Sequence, residues 1–138
     1  MTAPPARVVL DASAVLAWLL AERSKDVIDK LLPVAVVPSS AMTEALYIAA
    51  IRGHALSMQE LRDALAVAGV RVEAVSDDDS VRAADLIAAS RASRVAAGAL
   101  SLGDGLCIAV AERLDLPIVG GDQAWEALDL RVRYHPFN

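Results

Sequence analysis

Short runs rich in β-branched residues, each followed by a helical pattern, restrict what this chain can fold into more than any other feature. Arg7-Val8-Val9-Leu10 ends at Asp11, and Val34-Ala35-Val36-Val37 ends at Pro38. Apolar runs this short, without polar alternation, read as strands buried on both faces. Residues 70–75 alternate apolar and polar and read as a half-exposed strand, residues 117–119 as a fourth strand, and residues 131–134 as a candidate edge strand. Helical patterns lie between them at 14–21, 25–32, 41–52, 58–68, 81–93, 106–114 and 124–128. Asp11 or Ser13 can cap the first of these, Ser24 the second, and Ser57 with Glu60 forms a capping box for the fourth. Buried strands alternating with helices require a parallel sheet covered on both faces, so the expected fold class is α/β, with a central, mainly parallel sheet flanked by helices. No linker, repeat or low-complexity segment divides the 138 residues, and residues 1–138 read as a single domain.

Composition removes several function classes. Apolar residues make up 56% of the chain but are interrupted by charges every few positions. No run reaches the roughly 18–20 residues that a membrane span needs. The first seven residues lack the pattern of a secretory leader, so the expected location is cytoplasmic. One cysteine, Cys107, excludes an intramolecular disulfide and a thiolate metal centre. A net charge of −5 disfavours a broad basic face for nucleic acid. It does not exclude nucleic acid as a substrate, because carboxylates that load a divalent cation reverse their own local charge.

Ligands of open α/β sheets bind at the carboxyl ends of the strands, so acids there carry the most information. Asp11 follows the first strand directly, and Asp122 follows the fourth after Gly120 and Gly121. Glu44 falls within the first turn or so of the helix after the second strand, among Ala41, Ala45, Leu46, Ile48 and Ala49. Asp104 lies where a loop opens into the helix carrying Cys107. Taken singly, Asp104 and Asp122 could be N-caps, Asp11 could hold a turn, and Glu44 could be a solvated helix residue. Their joint placement at one edge favours a shared site. Carboxylates crowded together repel one another unless a cation neutralises them, and hard oxygen donors suit Mg²⁺ or Mn²⁺. Such a site supports phosphodiester hydrolysis without a nucleophilic side chain.

The segments VVLDASAVLAWLL around Asp11, SSAMTE up to Glu44, LSLGDGLCIAVAERLDLPIV around Asp104 and GGDQAW around Asp122 resemble the PIN-domain ribonucleases, specifically the VapC-type toxins of VapBC toxin-antitoxin pairs. The resemblance implies a Rossmann-like sheet of four or five parallel strands. It also implies Mg²⁺ or Mn²⁺ held by Asp11, Glu44, Asp104 and Asp122, with Ser13 as a polar helper, and endonucleolytic cleavage of RNA. A homodimer inhibited by a cognate antitoxin protein is implied as well. One departure stands out: the family usually carries Thr or Ser two residues before the last acid, where this chain has Gly120, so a hydroxyl that would orient a ligand or water is absent.

Other residues have a structural and a functional reading. Glu126, four residues after Asp122, would share its face on a helix and serve as an auxiliary acid. Arg91 and Arg94 are candidate RNA-phosphate contacts, with a solvated helix end as the alternative. Cys107, Trp18 and Trp125 read as packing residues, with Trp125 also close enough to Asp122 in sequence to wall the site; His54 and His135 read as surface residues, and Asp77, Asp78 and Asp79 as residues that cap a helix N-terminus and complement its charge.

Three other functions compete. A haloacid-dehalogenase-type phosphatase needs a second acid two residues after the first, where this chain has Ser13. A response-regulator receiver needs an adjacent acidic pair and a late lysine, whereas Lys25 and Lys30 are early. The non-enzymatic alternative is a fold of the same type whose acids no longer organise metal and which acts through its partner surface. For a nuclease with this net charge, recognition is expected to be local, at single-stranded loops.

Overall fold

A computed structural model describes residues 3–92 and 99–138. Five strands form one sheet: β1 (Val8–Leu10), β2 (Ala35–Pro38), β3 (Arg71–Glu73), β4 (Ile118–Gly120) and β5 (Tyr134–Pro136), in the order β3-β2-β1-β4-β5. Every pairing is parallel. The helices are α1 (Ala12–Leu19), α2 (Lys25–Asp29), α3 (Ser39–Ile51), α4 (Met58–Val67), α5 (Asp77–Ala92) and α6 (Leu102–Leu114). Short 3-10 turns occupy Leu32–Val34 and Gln123–Ala127. The expected α/β class with a mainly parallel sheet is therefore the observed one.

The two-residue period of the strands sorts their side chains between two cores. Val8, Leu10, Ala35, Val37 and Val119 pack with α1, α3 and α4, whereas Val9, Val36 and Ile118 pack with α5 and α6. This is why the central runs lack polar alternation: each face is covered, and a polar residue on either would be buried. No described helix is long and apolar enough to cross a membrane.

Of the boundaries that differ from expectation, three do so for evident local reasons. Helix α5 starts at Asp77 rather than 81, because Ser76 and Asp79 cap it reciprocally: the Ser76 amide donates to Asp79 Oδ2 at 2.8 Å and the Asp79 amide to Ser76 Oγ at 3.1 Å. Asp79 caps the helix as expected, and it does more than that. It is 2% exposed and accepts from Arg113 Nε and Nη2, each at 3.0 Å to the nearer carboxylate oxygen, so it clamps α5 to α6. Helix α6 starts at Leu102 rather than 106, because Ser101 and Asp104 form a second reciprocal cap. Strand β5 spans Tyr134–Pro136 rather than 131–134. Its ladder with β4 runs to Gly120 opposite Pro136, which an edge strand tolerates because its missing amide faces away from a partner.

The sheet order positions the site. From β1 the chain moves to β2 on one side, and β4 returns to the other side of β1. The crevice beyond the carboxyl ends of β1 and β4 is the topological switch point, where ligands of open parallel sheets bind.

Candidate active site

Asp11 directly follows β1 and caps α1. Its backbone is extended, with φ −79° and ψ 176°, and its Oδ1 accepts from the Ala14 amide at 2.9 Å and the Ser13 hydroxyl at 2.6 Å. Ser13 Oγ in turn accepts from the Gly121 amide at 2.9 Å, tying the end of β1 to the turn after β4. Both bonds to the Asp11 carboxylate fall on Oδ1, so Oδ2 is left facing the space over Gly120.

Glu44 projects from the second turn of α3, because the helix starts at Ser39, two residues before the expected start. Its Oε1 lies 2.8 Å from where a β-carbon on Gly103 would stand, so a residue with a side chain at 103 would force it away. The N-terminal turn of α6, where the helix dipole favours a carboxylate, is thereby open to Glu44. Asp104 sits inside that turn rather than in a preceding loop, and its Oδ2 accepts from the Ser101 amide at 3.2 Å. The motif Ser101-x-x-Asp104 was the signal that could have placed it. Asp122 is exposed and caps the 3-10 turn, its Oδ1 accepting from the Ala124 amide at 2.9 Å.

These four acids line one cleft of about 480 Å³. Burial pushes the Asp11 carboxyl from its ordinary 3.8 up to about 6; the Ser13 and Ala14 bonds oppose the rise, and the charges of Asp104 and Glu44 add to it. Glu44 is also raised, first by burial and then by Asp104. Asp11, Glu44 and Asp104 thus share a field strained by like charge, which a cation would relieve. Among the described residues, no three His, Cys, Asp or Glu side chains are gathered closely enough to ligate one ion directly. Mg²⁺ commonly uses only one or two carboxylates and keeps several waters, so this donor set fits that ion.

Other expected residues fall elsewhere. Glu126 is exposed and lies outside the cleft lining, because Gln123–Ala127 is a 3-10 turn, whose three-residue period puts Trp125 rather than Glu126 in line with Asp122. Trp125 lines the cleft and is 2% exposed. Arg91 is an exposed residue in the last turn of α5, also outside the lining, and Arg94 lies outside the described residues. Among the described residues, the cation that lines the cleft is Arg52, the C-cap of α3, 4.0 Å from Glu22 on the same rim. No sequence motif singles out Arg52; only the path of α3 across the sheet brings it there. Cys107 is buried beneath the acids, and burial together with the Asp11 charge pushes its thiol up, which suits a packing residue.

Comparison with known proteins places the fold. The family described as PIN domain matches residues 8–130. Among solved structures, a DNA-bound VapBC from Salmonella typhimurium is similar at 12% identity, with TM-score 0.70, covering 96% of this chain and 99% of that one. A sarcin-ricin loop cleaving VapC toxin from Mycobacterium tuberculosis is similar at 17% identity and TM-score 0.69, covering 91% and 98%. A member of the VapBC family of toxin-antitoxin systems from the same organism is similar at 23% identity and TM-score 0.60, covering 96% and 98%. At these identities the likeness is one of fold. No curated protein matches the sequence.

Proposed function

The chain belongs to the PIN domain family, and from that membership we propose that it is a divalent-metal-dependent endoribonuclease acting as the toxin of a type II toxin-antitoxin pair. The observation that carries this reading is the meeting of Asp11, Glu44, Asp104 and Asp122, from four separate elements, in one cleft at the switch point of the sheet.

Each of the four carboxylates keeps an oxygen not spent on a hydrogen bond among the described residues, Oδ2 of Asp11, Oδ1 of Asp104, Oδ2 of Asp122 and both oxygens of Glu44, and Asp11 and Asp104 would hold Mg²⁺ or Mn²⁺ together with waters. Bound there, the ion would activate water and stabilise the charge that develops on a phosphodiester. Glu44 and Asp122 complete the ring of negative charge and are suited to hold waters by hydrogen bonding. Ser13 fixes the rotamer of Asp11 by donating to Oδ1. Arg52, at the rim, supplies a cation for a substrate phosphate, the part that Arg91 and Arg94 were expected to play.

Exposed apolar side chains on α3, Tyr47 at 58% and Ile51 at 65%, support a surface covered by a second copy or an antitoxin protein. The toxin-antitoxin assemblies among the structural relatives support the same assignment.

The test is cleavage of a mixed cellular RNA pool by purified protein with Mg²⁺ or Mn²⁺, with EDTA, and with Asp11→Asn. Metal-dependent cuts absent from the variant are expected. Folded protein that makes no cuts with either ion would sink the nuclease assignment and favour the binding-module alternative.

A further inference from the structure

We propose that Tyr134 is a positioning residue of the acidic site, its hydroxyl supplying from β5 a donor at the place where Gly120 carries none. Tyr134 Oη is buried and has no hydrogen-bond partner among the described residues; the Asp122 amide comes near without completing a bond. Native structures leave few buried hydroxyls unpaired, and those that are need an explanation.

The surroundings of Gly120 provide one. A β-carbon built on Gly120 would lie 2.8 Å from Tyr134 Oη, 2.8 Å from Asp11 Cγ, and in collision with Asp11 Oδ2. The hydroxyl and the uncommitted carboxylate oxygen therefore converge on one point at the floor of the site. Tyr134 is held there by its ring, which packs against Trp125 with centroids 5.1 Å apart and planes tilted by 41°. An aromatic ring clamped this way aims its hydroxyl without rotamer freedom, so Tyr134 is preorganised to donate to an oxygen held against Asp11 Oδ2. Gly120 is thus the residue that leaves room for a hydroxyl arriving from another strand.

The inference rests on the metal-dependent reading above, and Tyr134→Phe tests it by removing the oxygen while keeping the ring on Trp125. Mn²⁺ binding is measured by calorimetry and RNA cleavage by steady-state kinetics, with Asp11→Asn as the reference for a lost site. The expected result is an unchanged melting temperature, Mn²⁺ affinity roughly tenfold weaker, and kcat lowered by a similar factor at unchanged KM, as for other groups that orient metal ligands. As a second readout in the unsubstituted protein, ¹³Cζ-tyrosine spectra should show Mg²⁺ shifting Tyr134 and leaving Tyr47 in place. Tyr134→Phe that binds Mn²⁺ and turns over like the parent overturns the role of Tyr134 while leaving the metal site standing. A parent protein that binds no Mn²⁺ overturns both.

Discussion

Asp11, directly after β1, and Gly120, the last residue of the adjacent parallel strand β4, leave no room for a β-carbon between them: a methyl group on Gly120 would collide with Asp11 Oδ2 and lie 2.8 Å from its Cγ. The backbone at Gly120 is not left-handed, so the requirement for glycine is one of space.

Gly120→Ala should therefore disable the site more than the fold. Overpacking of this kind costs about 1–3 kcal/mol. Displacing the carboxylate by even an ångström should lower kcat/KM by roughly a hundredfold. Gly120→Thr, which resemblance alone would suggest as a repair, should be at least as damaging. Parallel melting and cleavage assays check both, and an alanine variant with parental activity would show that the carboxylate has slack.

The raised Asp11 carboxyl makes a stability prediction. With a folded value of about 6 against an ordinary 3.8, the folded state holds this proton more tightly, so the ion-free protein loses stability as pH rises through that window. The loss amounts to about 3 kcal/mol at most, at 1.36 kcal/mol per unit. Asp11→Asn keeps an acceptor for Ser13 and Ala14 and removes the charge. In EDTA at pH 7.5 it should melt higher than the parent, and the difference should vanish near pH 4. Cleavage by the parent should decline below about pH 6 where the ion is limiting. A variant that melts lower than the parent at pH 7.5 would contradict this account.

Arg52 is solvent-exposed at its tip, so its removal should leave the fold alone. As a phosphate contact it should act on substrate affinity: Arg52→Ala is expected to raise KM by roughly fivefold to tenfold with little change in kcat, and to lower the slope of log affinity against log salt by about one. A change in kcat alone would assign it a different role.

Asp79 has the opposite character, structural and distant in role from the cleft. Burial alone would raise its carboxyl, but the bonds from Arg113 and Ser76 outweigh that and bring it below its ordinary value. Its stabilisation is thus present above pH 3.8 and lost as pH falls through the lower folded value. Asp79→Asn should cost about 2–3 kcal/mol at pH 7, as for loss of a charge-assisted bond network. Thermal unfolding checks this, and RNA cleavage measured well below the new midpoint should be unchanged.

The layered α/β architecture was legible in the sequence because Val8 to Leu10 and Ala35 to Val37 are apolar at every position, a pattern with few solutions other than a sheet covered on both faces. Asp11 and Asp122 were legible for the same reason, since each follows a strand that the pattern marks. Helix starts at α5 and α6 were read late because Ser76-Asp79 and Ser101-Asp104 use aspartate where glutamate is the commoner partner in a reciprocal cap.

What sequence alone determined, then, is the layering, the strand ends and the acids attached to them, because these follow from local periodicity and chain direction. Only the tertiary structure decided that Arg52 reaches the cleft while Arg91 and Glu126 do not, that Gly103 makes way for Glu44, and that Tyr134 fills the space over Gly120. Those relations join residues far apart in the chain, and they depend on the sheet order, the crossing of α3 over α6 and a three-residue turn period, none of which local spacing encodes.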